Sequence, residues 1–208
     1  MSEQQFVITI ARGYGSGGRT IGKMLAAELG IHFYDRKLLR LASDDSGINE
    51  SLFGLADETP SLKMLLPIAR RERGGEVIPP DRDDFISNEN LFRYQAKVIT
   101  ELAKRESCVV IGRCADYVLR DFPNVLRVFI HAPLDFCAGR IAELNDLSFE
   151  AAKKVVQVTD KRRAAYYSYF TGSAWTNAEN YDLCLDSSAL GDERCVRLIR
   201  EYLRIRIS

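Results

Sequence analysis

Eight residues, Gly13-Tyr14-Gly15-Ser16-Gly17-Gly18-Arg19-Thr20, follow an apolar run over residues 6–11 and precede a helical pattern. Glycines at this density let successive backbone N–H groups turn inward. The helix that follows adds partial positive charge at its N-terminus. That is chemistry for holding an anion, a phosphate chain above all. The spacing fits G-x-x-x-x-G-K-[ST], with Arg19 in the lysine position. Arg19 would bring charge to the β- and γ-phosphates, Thr20 a hydroxyl for Mg²⁺, and Ser16 a further polar group. Gly13, Gly15 and Gly18 also fit G-x-G-x-x-G. Asp35 ends the next apolar run, residues 31–34, where a dinucleotide site would place a ribose-binding acid. The loop alone leaves both templates open; the adjacent cation and hydroxyl favour phosphate transfer over hydride chemistry.

The chain has 208 residues, enough for one domain with a substantial core. Its 29 basic and 29 acidic residues cancel, so no overall field draws it to nucleic acid or membrane. An anion site must therefore be local. The first residues are polar and lack a signal-peptide pattern, and no apolar run is long enough to span a bilayer. The expected location is the cytoplasm. Five cysteines, an odd number without C-x-x-C, read as free thiols. His32 and His131 are the two histidines. Chemistry is left to arginines, carboxylates and a bound metal ion.

The elements that must position these groups alternate along the chain. Strands are expected over residues 6–11, 31–34, 108–111, 125–130 and 182–186. Helices are expected over 18–29, from 36, from Asn88 or Asn90 to about 105, after Gly112-Arg113, from Pro133 or Leu134 to about 144, from a Ser148 cap to near Gly172, and over 192–203. Residues 48–88, with Pro60, Pro67, Pro79, Pro80 and the charged run 70–73, break the rhythm as short helices and a mobile loop. Apolar strands alternating with helices predict an α/β fold with a parallel sheet covered on both faces. Ligands bind at the carboxyl ends of such strands. The octet, Asp35 and Arg113 all fall at those ends and define a cleft.

The octet, Phe33-Tyr34-Asp35, Val110-Ile111-Gly112-Arg113-Cys114-Ala115-Asp116 and Thr159-Asp160-Lys161-Arg162-Arg163-Ala164-Ala165-Tyr166-Tyr167 together resemble the cytidylate kinase-like family. Trp175 and Asn180-Tyr181-Asp182-Leu183-Cys184-Leu185 extend the resemblance over almost the whole chain. This family is a branch of the P-loop nucleoside monophosphate kinases. The resemblance implies a three-layer fold with a five-stranded parallel sheet, all in one domain over residues 1–208. It implies a helical substrate-binding insertion near 48–88 and a lid near 140–172. The implied reaction moves the γ-phosphoryl group of ATP, with Mg²⁺, to a nucleoside monophosphate such as CMP or dCMP.

Gly13, Gly15, Ser16, Gly17, Gly18, Arg19 and Thr20 would then hold ATP, with Thr20 on the metal. Arg113 matches the arginine of the family's Asp-Gly-Arg motif, on the acceptor phosphate. Arg140 and Arg163 match lid cations, Asp160 would orient Arg163, and Asp35 would meet the acceptor sugar or base. Two positions depart from the family pattern: Arg19 replaces lysine, and Ile111 stands where the motif has aspartate. Asp116, one turn on, is the substitute acid. These departures motivate a second reading, a non-catalytic ATP-binding regulatory module. A third, an NAD(P)-dependent oxidoreductase, rests on Gly13, Gly15, Gly18 and Asp35.

Overall fold

The computed structural model describes residues 5–53, 76–80, 82 and 84–207. Most of the expected insertion, including the charged run 70–73, lies outside the described residues. The chain order is β1 (Val7–Arg12), α1 (Gly18–Leu29), β2 (His32–Tyr34), α2 (Arg36–Ser46), α3 (Asn88–Arg105), β3 (Cys108–Ile111) and α4 (Ala115–Val118). It continues with β4 (Val125–His131), α5 (Leu134–Asn145), α6 (Phe149–Thr171), β5 (Leu183–Asp186), α7 (Ser187–Leu190) and α8 (Asp192–Ile207).

The strands form one parallel sheet in the order β2-β3-β1-β4-β5. β1 is central: Ile10 stands opposite Ile111 on one side and Val128 on the other. Alternation along each strand splits the core in two. Val7, Cys108, Val110 and Val125 pack with Leu38, Leu91, Val98, Ile99 and Leu102 of α2 and α3. Ile8, Ile10, Val109, Ile111, Leu126, Val128 and Ile130 pack with Ile21 and Leu25 of α1 and with Val196, Ile199 and Leu203 of α8. Helices on both faces explain why these strands are mostly apolar on both sides rather than alternating. Each fully buried Ile or Leu contributes about 1.5–3 kcal/mol.

A third cluster is aromatic and sits over the carboxyl ends of the strands. Phe92 of α3 stacks on Phe170 of α6 at 4.2 Å, and Phe129 of β4 meets Trp175 edge-on at 5.4 Å and Tyr181 stacked at 5.0 Å. This cluster fastens α6 across the end of the sheet where the octet emerges.

Several boundaries differ from the sequence reading. Ser87, not Asn88 or Asn90, caps α3, its Oγ accepting the Asn90 N–H at 3.3 Å. Asn90 is fully buried: its amide accepts from Ile78 N–H at 2.7 Å and donates to Ile78 and Phe85 carbonyls. The amide thereby satisfies backbone groups of the segment before α3, a tertiary use that no local pattern reveals. The helix after Gly112-Arg113 is only Ala115–Val118. β1 runs one residue further than the apolar run, to Arg12.

Candidate active site

The octet leaves β1 and is bolted to its neighbours. Gly13 N–H donates to Ile130 carbonyl at 3.0 Å. Ser16 Oγ, fully buried, lies 2.8 Å from Gly13 carbonyl and 3.1 Å from Ile130 carbonyl and shares its hydrogen between them. Ser187 Oγ in turn donates to Ser16 carbonyl at 2.6 Å. The Ser16 hydroxyl therefore braces the loop from within. Gly15 and Gly17 have φ of 83° and 82°. A Cβ on Gly15 would fall 2.6 Å from Cys137 carbonyl, and one on Gly17 2.6 Å from Arg140 Nη1. The loop is thus a glycine cradle with α5 pressed against its outer side. The first N–H groups of α1 have no carbonyl one turn back and face the cradle's end of the helix.

Arg19 and Thr20 lie exposed on the first turn of α1. Arg19, expected on the donor phosphates, extends to Asp35, with Nε 2.6 Å from Oδ2. A planar guanidinium beside a carboxylate at the end of β2 has a ready partner that a bare ammonium would grip less specifically.

Across the cleft, the turn after β3 is held in a sparsely populated backbone state. Gly112, Arg113 and Cys114 have φ of 67°, 60° and 52°. Two consecutive side-chain-bearing residues in the left-handed region cost on the order of 1–3 kcal/mol each. A Cβ on Gly112 would also displace the end of the Arg12 side chain, whose Nη1 lies within overlap distance. Arg12 was not among the expected site residues. Its side chain starts against Gly18, where an added Cβ would come within 2.5 Å of Arg12 Cβ, and ends over Gly112. It spans from the loop to the turn that carries Arg113. The sequence did hold a signal: an arginine closing a buried central strand, one residue before the loop, has no core role to explain it.

Arg163 completes the group from α6. Its Nη1 donates to Arg12 carbonyl at 3.0 Å, lies 3.6 Å from Asp160 Oδ1, and the guanidinium sits 5.3 Å from the Tyr14 ring centre. Asp160 Oδ1 also accepts the Tyr14 N–H at 2.8 Å. Burial raises the Asp160 carboxyl, opposed by that N–H and by Arg163. Burial comes first in lowering all three guanidiniums. Arg12 is pushed down to about 9, with Arg163 the next cause and Asp35 opposing. Arg113 and Arg163 are lowered in the same direction, again with Asp35 opposing. Three buried guanidiniums, opposed by Asp35 and Asp160, give this face of the cleft a chemistry that can hold an anion.

The cleft between these elements has a volume of about 570 Å³, within the range of small-ligand sites. Arg12, Arg19, Asp35, Arg113, Asp116, Arg163 and Tyr166 line it, and so do Arg36 and Arg162 at its exposed edge. In a chain of zero net charge, this concentration of arginine is local, as the composition required. Asp116 is buried, accepts Tyr167 O–H at 2.6 Å and is pushed up to about 6 by burial. Tyr166 is buried with its hydroxyl unpartnered among the described residues. Arg140 lies elsewhere. It forms a two-pronged pair with Asp192, both contacts at 3.0 Å, and lines a separate recess with Phe136 and Leu190. The structure thus gathers Asp35, Arg113, Asp116, Asp160 and Arg163 beside the loop and sets Arg140 on its far side.

The strand order differs from the dinucleotide-binding order, in which the second strand neighbours the first, and this sets the hydride-transfer reading aside. The profile of the cytidylate kinase-like family matches residues 7–189. Among curated proteins, the cytidylate kinase of Methanopyrus kandleri is 26% identical over 198 residues, covering 93% of this chain and 91% of its own. That of Natronomonas pharaonis is 27% identical over 188 residues, covering 90% and 83%. Among solved structures, an uncharacterised protein from Eubacterium ventriosum superposes with a TM-score of 0.71 at 23% identity, covering 96% of this chain and 99% of its own. Shikimate kinase from Bacteroides thetaiotaomicron gives 0.54 at 15%, covering 97% and 99%, a likeness of fold. The chain belongs to the cytidylate kinase-like family.

Proposed function

We propose that this member of the family transfers the γ-phosphoryl group of ATP to a nucleoside monophosphate, with CMP or dCMP as acceptor, within one catalytic domain whose α5–α6 pair acts as the lid. The observation that carries this reading is the group of Arg12, Arg113 and Arg163 facing one cleft beside a glycine cradle. Two phosphate-bearing substrates brought together need positive charge between them, and an otherwise neutral chain concentrates it there.

The residues present fit the groups the reaction needs. Gly15 and Gly17 hold left-handed turns packed against α5, and a phosphate chain would meet the backbone N–H groups at the start of α1. The Thr20 hydroxyl, exposed on that turn, would hold Mg²⁺. No cluster of three metal-binding side chains occurs among the described residues. When bound, Mg²⁺ neutralises charge on the β- and γ-phosphates. Arg113 receives the acceptor phosphate at the strained turn after β3. Asp160 holds Arg163 over the loop, where it faces charge developing on the transferred group. Asp35 and Asp116 bound the acceptor side. The bond between the terminal phosphorus and its bridging oxygen breaks, and a bond to an acceptor phosphate oxygen forms, giving ADP and a nucleoside diphosphate. Aromatic packing of α6 keeps water from competing as acceptor.

The test is a panel of nucleoside monophosphates with ATP and Mg²⁺, read as ADP formation. CMP or dCMP should lead the panel; absence of ADP above background with every acceptor would remove the reading. One observation favours a second reading, an ATP-binding regulatory module: the loop's own cation, Arg19, is tied to Asp35. Tight ATP binding without turnover across the panel would select it.

A further inference from the structure

We propose that Arg12, not Arg19, supplies the cation that contacts the donor's terminal phosphates, bridging them to the acceptor phosphate on Arg113. This rests on the phosphoryl-transfer reading and assigns the loop's missing lysine charge within it. Arg19 occupies the lysine position in sequence, yet its side chain is 57% exposed and held by Asp35 at 2.6 Å. Arg12 reaches the same end of α1 from beneath. Its Cβ packs on Gly18, the first residue of α1, and its guanidinium passes over Gly112 beside Arg113. Its main-chain carbonyl is taken by Arg163, which ties the third cation to the same residue. The Arg12 guanidinium has no hydrogen bond or ion pair among the described residues, so its donors remain for a ligand. A fork in this place presents parallel N–H groups to oxygens of two phosphates at once, which a single ammonium does less well.

The chain gives up much to keep this arginine here. At 18 a Cβ would strike the Arg12 stem, and at 112 a Cβ would push the Arg12 guanidinium from its place. Neither constraint exists for Arg19, whose surroundings are open.

Inorganic tripolyphosphate is the probe, titrated calorimetrically into wild type, Arg12→Gln, Arg12→Lys and Arg19→Gln. Thermal melts establish that each is folded. Loss of a charge-assisted contact should weaken tripolyphosphate about ten- to hundredfold in Arg12→Gln, with partial recovery in Arg12→Lys and a smaller loss in Arg19→Gln. Equal binding by wild type and Arg12→Gln, or a larger loss in Arg19→Gln, overturns this inference alone. The acceptor panel then still decides phosphoryl transfer. Wild type that binds no tripolyphosphate overturns both.

Discussion

Arg163→Ala separates a group that acts on phosphate from one that merely ties α6 down. The truncation removes a donor to Arg12 carbonyl at 3.0 Å, an ion pair to Asp160 at 3.6 Å and a ring contact to Tyr14. The lost charged hydrogen bond costs about 1.5–3 kcal/mol. The exposed-side ring contact adds about 0.5–1 kcal/mol. Against this, removing the Arg163 guanidinium relieves its repulsion of the cationic forms of Arg12 and Arg113, which offsets part of that loss. Asp160 keeps the Tyr14 N–H and is not stranded. The net stability loss should therefore be only about 1–2 kcal/mol in urea unfolding. Turnover should fall far more. An arginine on the transferred group is worth roughly 10³–10⁵-fold, or about 4–7 kcal/mol of barrier. The assay is ADP release at saturating ATP and CMP, run beside the unfolding curve on the same preparation. A stability loss above about 3 kcal/mol with turnover within about tenfold of wild type would refute the argument and leave Arg163 a structural staple.

Gly112→Ala should lose turnover out of proportion to stability. The left-handed backbone costs on the order of 1 kcal/mol, while the new Cβ displaces the Arg12 guanidinium; a fully active variant would contradict the overlap. Asp116 carries a pH signature. Its carboxyl is about 6 in the folded chain against 3.8 for an ordinary aspartate, so as pH rises the unfolded chain loses its proton first. Stability should fall from about pH 4 to about pH 6, by on the order of 3 kcal/mol, and Asp116→Asn should flatten that slope in pH-dependent unfolding. Ser187→Ala strands the Ser16 and His131 carbonyls that its hydroxyl serves. It should cost about 1–3 kcal/mol and weaken tripolyphosphate through a loosened loop, and an unchanged melting temperature would deny the brace.

Much of the fold was legible because its signals are local. The buried runs at β1, β3 and β4 are largely apolar on both sides, as a parallel sheet covered on both faces requires. α1 was delimited to the residue by the octet before it and Gly30 after it, the latter at φ 63°. Ser148 and Gly172 bounded α6 in the same way, through a hydroxyl accepting the Ala151 N–H and a left-handed cap. Asn88 and Asn90 both read as caps, yet Ser87 takes that place, and the burial of Asn90 depends on backbone groups of Ile78 and Phe85 brought there by folding.

The site divides along the same line. The order of residues fixed that a glycine loop opens a helix after the central strand and that Arg113 follows the third strand, since loops inherit their place from the strands they leave. What folding alone decided is which cation stands where. Arg19 and Arg12 lie seven positions apart, and nothing local says that one will turn out to Asp35 while the other threads between Gly18 and Gly112. Side-chain direction is set by what the neighbours leave open, and for Arg12 two of those neighbours, Gly112 and Arg163, come from elements a hundred or more residues along the chain.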